Sequence, residues 1–478
     1  MSVVSGVTPP DRSGTLARRL SRGDATAIVI SNVIGGGILT TPALVAVLAP
    51  HPPAMLAAWG VGGVLAWAGA TAYAELAARY PRAGGEYVYI REAFGPLAAF
   101  LTGWTSFIAG FSGAIAANAV AAAILASRLV PGYTTLSIVL PLPSAWETME
   151  IPLESLLAVA LVLALSLIHS VGLTVGRLVQ NSLAVAKVVC LTLVAVGGVW
   201  LGHGPIAAPA ANGTVGGWWL ALIPVMFSYS GWNAATYVAE EVRRPRRNVP
   251  LALWTGTAIV VALYLMVNFA YLCGPTSERS TTFNVAEPIA RQLLGPAGGI
   301  GVTLLTILIL LSSTSAMVLT GPRVYFAMAQ DGLFFSAAAR IHPRFRTPAI
   351  AILCQAACSI VLALTGTFER LVTYTGFAVV LFSGVAAAAL LVLRRRALPD
   401  RSPGWRLRRL APVVFVAAAA AITANALYAA PRQFALGVMV IAAGVPLYRV
   451  ARRTHQTAPI RQGGHDESRA FDRGSAHC

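Results

Sequence analysis

Three consecutive glycines, Gly35, Gly36 and Gly37, sit at the centre of the apolar stretch AIVISNVIGGGILTTPALVAVLA, with Thr40, Thr41 and Pro42 just after them. Each glycine costs about 1 kcal/mol in a helix interior, so three in succession predict a break and not merely a kink. Close packing by small residues needs no such run. A second apolar stretch, WLALIPVMFSYSGWNAATYVAEE, is interrupted halfway by Pro224, Ser228, Ser230 and Gly231, with Phe227, Tyr229 and Trp232 alongside. A broken helix frees N–H groups at the start of one half and carbonyls at the end of the other. The first kind of end holds an anionic group and the second a cation. A zwitterion such as an amino acid satisfies both at once. The candidate lining is Ile34, Gly35, Gly36, Gly37 and Ile38 in the first break. In the second it is Phe227, Ser228, Tyr229, Ser230, Gly231, Trp232 and Asn233.

A third signal is a single residue. The chain carries 34 arginines and one lysine, and that lysine, Lys187, lies mid-way along LVQNSLAVAKVVCLTLVAVGG. A charged amine at membrane depth costs about 3 kcal/mol even on insertion scales. Lys187 lies ten residues past Arg177, about 15 Å of helix, too deep for easy escape to the surface. An intramembrane ionisable group is read as functional by default.

These residues need a scaffold, and the composition identifies it. Hydrophobic residues make up 56% of the 478 and charged residues 11%, where a soluble domain carries roughly 25% charged. A soluble enzyme, a fibrous chain and a disulfide scaffold are excluded. Twelve apolar spans are expected, at about 25–49, 54–78, 97–127, 154–172, 177–201, 218–240, 250–274, 298–327, 348–366, 370–393, 411–429 and 433–450. The third and eighth are long enough to suggest tilt. The segment 79–95 is too polar to span and reads as an interfacial helix. The two broken stretches are the first and the sixth, and such a matched pair points to a transporter with inverted repeats and a midplane site.

The net charge of +17 does not indicate nucleic acid, because the basic residues lie between apolar runs and not on one face of a domain. With the N-terminus inside, one side holds 29 arginines and the other 5. Both termini are therefore expected in the cytoplasm, in a multi-pass plasma-membrane protein. The N-terminus lacks the pattern of a cleaved signal peptide. No cofactor is expected. Cys354 and Cys358 have i, i+4 spacing but no His or carboxylate nearby to complete a metal site.

The stretches IGGGIL (34–39), AELAARYPRAGGEYVYIREAFG (74–95), FSYSGWNAATYVAEEVRRPRRNVP (227–250) and GPRVYFAMAQDGLF (321–334) with the following HPRFRTP, together with Lys187, resemble the amino acid–polyamine–organocation superfamily. The likeness is to its amino acid permeases, close to the cationic and L-type amino acid transporters. The resemblance implies an all-α polytopic membrane protein with 12 transmembrane helices: a LeuT-type 5+5 inverted repeat plus two extra helices. The expected divisions are a cytoplasmic tail (1–24), a first repeat (25–201), a second (218–393), two added helices (411–450) and a disordered cytoplasmic tail (453–478). It also implies that the IGGGIL backbone takes the substrate carboxylate, that the broken sixth helix takes the amine, and that Phe227 lids the substrate. Lys187 would stand near where sodium-coupled relatives hold sodium, with Ser312 and Ser313 as neighbours. Gly36 stands where serine is common, which puts one carboxylate contact in doubt. The loop 128–153 has no cysteine, so no disulfide-linked heavy chain is expected.

Glu75, Glu86, Glu240 and Glu241 fall at span ends or in loops and read as gate and loop ion pairs with the arginines at 79–91 and 243–247. His169 reads as a helix-end residue. No carboxylate falls mid-span, which favours neutral substrates over cationic ones, since an unpaired buried charge is expensive. The expected function is secondary active transport of L-amino acids, by proton-coupled or pH-sensitive symport. An amino acid or amine exchanger on the same fold is the alternative. A channel and an enzyme are disfavoured, because neither a selectivity ring nor a catalytic constellation is present.

Overall fold

The computed structural model describes residues 16–130, 137–140, 149–201, 217–273, 290, 294–295, 297–365, 368–396, 405–429 and 431–456. Most of the N-terminal tail, most of the 128–153 loop and the tail from residue 457, with Cys478, lie outside the described residues.

Each of the twelve expected stretches contains helix, although the sixth, expected over 218–240, is α-helical only as far as Tyr229. The first is α1 (Arg22–Val33) and α2 (Gly37–Leu48), the second α3 (Pro52–Arg79). After α4 (Glu86–Phe94), the third comprises α5 (Pro96–Thr105), a π-helical turn (Ser106–Phe111) and α6 (Ser112–Ser127). Then come α7 (Leu153–Val171), α8 (Leu173–Leu201), α9 (Gly217–Tyr229) and α10 (Pro245–Cys273). The eighth stretch is α11 (Ala297–Thr320) and α12 (Pro322–Gln330); α13 (Ala349–Thr365), α14 (Phe368–Arg395), α15 (Trp405–Ala429) and α16 (Pro431–Gln456) complete the chain. One departure from an all-helical chain is an antiparallel ribbon of β1 (Ser137–Leu140) and β2 (Met149–Pro152), with Ser137 opposite Pro152.

Among the described residues, seven helices are long and apolar enough to cross a bilayer alone, and α1 with α2 forms an eighth, bent by 46° at the glycine break. The molecule is a polytopic membrane protein. The length of the third and eighth stretches has local causes. The third contains the π-helical turn, a feature that often marks functional sites, and the eighth is interrupted at Gly321–Pro322.

The core is a set of helices around α1, which packs on α10, α8 and α11, while α3 runs along α10. Close approach is set by small residues: a Cβ at Gly256 of α10 would lie 2.7 Å from Val29 of α1.

Several charges close the end of the bundle that carries the N-terminus. Ser21 and Asp24 form a capping box on α1, and Asp24 also accepts from Asn181 Nδ2 of α8 at 2.6 Å. The segment before α1 pairs with the chain after α9: Leu20 N donates to Glu241 O at 2.9 Å and Arg243 N to Leu20 O at 2.8 Å. Glu240 accepts from the backbone N–H groups of Leu16 and Ala83. Glu75 pairs with Arg79 at 2.6 Å and with Arg394 of α14. Glu241 does not pair with its sequence neighbours 243–247. It is fully buried and accepts from Arg323 of α12, whose Nε lies 2.7 Å and Nη2 3.2 Å from the two carboxylate oxygens.

Removing one partner of such a buried pair leaves an uncompensated charge, at a cost of about 3–5 kcal/mol. Arg323→Met is therefore expected to lower the unfolding temperature in detergent sharply, whereas Arg79→Met, at a part-exposed pair, should leave it nearly unchanged. Comparable melting of the two variants would count against the assignment.

Candidate substrate site

In the first break, α1 stops at Val33 and Ile34 turns to an extended conformation (φ −75°, ψ 93°). The carbonyls that lose their helical donors are taken by side chains. Lys187 Nζ, fully buried, donates to Ser31 O at 2.9 Å and to Ile34 O at 2.7 Å. The Tyr264 hydroxyl of α10 lies 2.9 Å from Val33 O and 3.0 Å from Ser228 O, so it ties the two breaks together. The other side of the gap is the start of α2, where Gly36, Gly37 and Ile38 present first-turn N–H groups with no helical acceptor. Gly35, Gly36 and Gly37 are only partly buried. This end suits an anion.

In the second break, α9 ends at Tyr229, and Ser230 N folds back to Phe227 O at 3.0 Å. Gly231 adopts φ +99°, and a Cβ there would fall 2.8 Å from the backbone of Asn32. Glycine is required on both counts. Beyond it run 3-10 turns, Ala234–Thr236 and Ala239–Glu241. Of the last-turn carbonyls of α9, Phe227 O takes Ser230 N and Ser228 O takes the Tyr264 hydroxyl, and the carbonyl end of the helix as a whole suits a cation.

The breaks meet. A Cβ on Gly37 would lie 2.9 Å from Ser228 Oγ and 3.1 Å from Ser228 Cα. Thr41 Oγ1 bonds Ser228 Oγ at 2.7 Å and donates to Gly37 O at 2.8 Å, and Ser228 Oγ donates to Pro224 O at 3.0 Å. The N–H end of α2 and the carbonyl end of α9 thus lie side by side.

The expected lining divides into two groups. Gly35, Gly36, Gly37, Phe227, Ser230 and Gly231 are partly exposed at the breaks. Ile34, Ile38, Ser228, Tyr229, Trp232 and Asn233 are buried. Tyr229 donates to Trp59 O at 3.2 Å, and Trp232 sets its edge against Tyr73 and Phe415. The two serines expected beside Lys187 lie against the first break: Ser312 Oγ is 3.3 Å from Ser31 Oγ, and Ser313 Oγ faces Gly35. His169 sits in the last turn of α7, buried, with Nε2 2.8 Å from Ser315 Oγ. A cavity opens behind the second break, between Met226, Ser230 and Trp232, Val379 and Ser383 of α14, and Phe415 of α15.

Glu86 corrects the sequence reading. It is not paired with the arginines of 79–91: it is buried inside the protein, together with Tyr87, Val88, Tyr89 and Ile90 of α4. The Glu86 Oε1 atom accepts from Tyr73 OH at 2.7 Å, Asn233 Nδ2 at 2.6 Å and Ser383 Oγ at 3.1 Å. Tyr264 was not singled out in the sequence either. An aromatic residue in an apolar helix carries no signal of its own until its hydroxyl is seen between two breaks.

Among the described residues no group of three His, Cys, Asp or Glu side chains could hold a metal, and Cys190, Cys273, Cys354 and Cys358 are free thiols.

A family model described as amino acid permease matches residues 20–448. The chain is 28% identical to the serine/threonine exchanger SteT of Bacillus subtilis (strain 168), over 89% of this chain and 94% of that protein. It is 28% identical to the large neutral amino acids transporter small subunit 2 of Rattus norvegicus, over 91% and 80%. It is 30% identical to the b(0,+)-type amino acid transporter 1 of Homo sapiens, over 80% and 77%.

Proposed function

The chain belongs to the amino acid permease family, and from that premise we propose that it exchanges one L-amino acid for another across the plasma membrane, with neutral substrates preferred. The observation that carries this reading is the contact of the two breaks at Gly37 and Ser228. There the N–H end of α2 receives a carboxylate and the carbonyl end of α9 an ammonium group. The wider frame is the twelve-helix, twofold inverted arrangement with both termini in the cytoplasm and alternating access to one central site.

Exchange is placed ahead of symport because of Lys187. Its ammonium group already caps Ser31 O and Ile34 O, so α1 is held without a second ion. A relative named as a serine/threonine exchanger supports the same choice. One observation favours proton coupling as the second reading: the capping cation is a lysine, which can release its proton, where an arginine cannot. Neutral substrates are preferred because neither break carries an acidic side chain to pair with a cationic side chain of the substrate.

Reconstituted protein separates these readings. Uptake of labelled neutral amino acid should need unlabelled amino acid inside the vesicle, and imposed pH or sodium gradients should not drive accumulation. Uptake into empty vesicles that follows a pH gradient would replace exchange with symport. In a competition panel, small and medium neutral amino acids should displace substrate better than arginine or lysine. Arginine as the strongest competitor would overturn the selectivity.

A further inference from the structure

Glu86 opens α4 and is 5% exposed, yet among the described residues no basic side chain pairs with it. Arg91 of the same helix is turned to Asp331 at 3.0 Å. A buried carboxylate without a counter-ion survives only if hydrogen bonds replace hydration. Here the donors are neutral and come from three separate elements: Tyr73 of α3, Asn233 of the turn after α9, and Ser383 of α14. The N-terminal end of α4 adds its dipole.

Asn233 lies two residues past Gly231. Its own carbonyl accepts from Thr236 N at 2.9 Å and Thr236 Oγ1 at 2.7 Å, and its side chain also donates to Tyr237 OH at 3.0 Å. The turn that follows the carbonyl end of α9 is therefore anchored to Glu86. We infer that Glu86 is the positioning residue for the amine half of the substrate site: through Asn233 it fixes the turn after α9, and its charge makes that half of the site electronegative. The inference rests on the reading of the protein as an amino acid transporter.

The titratable groups facing Glu86 are Tyr73 from α3, Tyr237 from the turn and Tyr89 of its own helix, with Tyr325 of α12 beyond Tyr237; the contact from α14 is the neutral Ser383. Burial raises the Glu86 carboxyl above its ordinary value, and the hydrogen bonds from Tyr73, Ser383, Asn233 and Tyr237 oppose that rise. Protonation would remove the charge and weaken the hold on Asn233.

The test is exchange kinetics in proteoliposomes with a neutral amino acid. Glu86→Gln should raise the half-saturation concentration about tenfold while the maximal rate changes far less. In the wild type, half-saturation should worsen as the pH falls through the raised value of the Glu86 carboxyl, and in Glu86→Gln it should stay flat over the same range. Ser383→Ala removes one donor but keeps the carboxylate, so it should move the wild-type response to higher pH. That variant carries the test if Glu86→Gln does not accumulate. An unchanged half-saturation, a pH profile shared by wild type and Glu86→Gln, or an unmoved response in Ser383→Ala would each overturn the positioning role. Wild-type protein that carries no amino acid would instead overturn the function on which the inference rests.

Discussion

Replacing Gly37 by leucine should abolish amino acid uptake while the protein still reaches the membrane. The first atom added is already too close, since a Cβ would stand 2.9 Å from Ser228 Oγ and 3.1 Å from Ser228 Cα. The hydroxyl can turn away, but the backbone atom belongs to the end of α9 and cannot move without displacing the second break. The rest of the leucine would fill the space where a carboxylate meets the N–H groups of Gly36, Gly37 and Ile38. Leucine also favours a continuous helix over a break by about 1 kcal/mol relative to glycine. All three effects act on the site, and none exposes core to lipid. Surface abundance should therefore stay near that of the wild type, with uptake at background. Uptake at the wild-type rate, with normal half-saturation, would refute the assignment of the break as the carboxylate site.

Lys187→Ala is expected to reduce exchange about tenfold or more. It removes both donors from Ser31 O and Ile34 O, and a buried acceptor left unpaired costs about 1–3 kcal/mol. The last turn of α1 would no longer be held in the position that faces α9. Lys187→Arg should not rescue it. Two carbonyls of one helix end, 2.9 and 2.7 Å from a single nitrogen, fit a compact ammonium group and not a planar fork with five donors. Counterflow of labelled substrate in the wild type and both variants, at several imposed pH gradients, is the deciding measurement. Wild-type rates in Lys187→Ala would end the capping role. Accumulation that follows the pH gradient in wild type and vanishes in Lys187→Arg would favour the proton-coupled reading over exchange.

The parts of this site that were legible in the sequence share one property: each violates a local rule. Three glycines in an apolar run and one lysine at membrane depth cost free energy where they stand, and the structure places them at or beside the first break; Pro224 does not itself interrupt its helix, since α9 runs through it to Tyr229 and the break follows at Ser230 and Gly231. What was not legible depends on partners far along the chain. Glu86 and Glu241 occur among arginines in polar segments, so local charge counting assigned them to nearby ion pairs. Folding instead tucks the first residue of α4 between Tyr73, Asn233 and Ser383, and brings Arg323 across 82 positions to Glu241. Tyr264 was invisible for the same reason, because its two acceptors belong to other helices. The twelve helical stretches were readable from hydropathy alone, while the π-helical turn at Ser106–Phe111 left no compositional mark.

The pairing of the segment before α1 with the chain after α9 bears on how the protein is made. Leu16 bonds to a side chain 224 residues further on, and Leu20 bridges Val242. At ordinary synthesis rates that stretch takes roughly 10–45 s to emerge from the ribosome. During that time α1 has no Glu241 to rest against, and its Asp24 must also wait for Asn181. Leu16 and Leu20 thus find their partners only after more than 200 further residues have been made. A chain arrested before residue 240 would have α1 to α9 in hand but neither the Glu241 nor the Val242 with which the segment before α1 pairs.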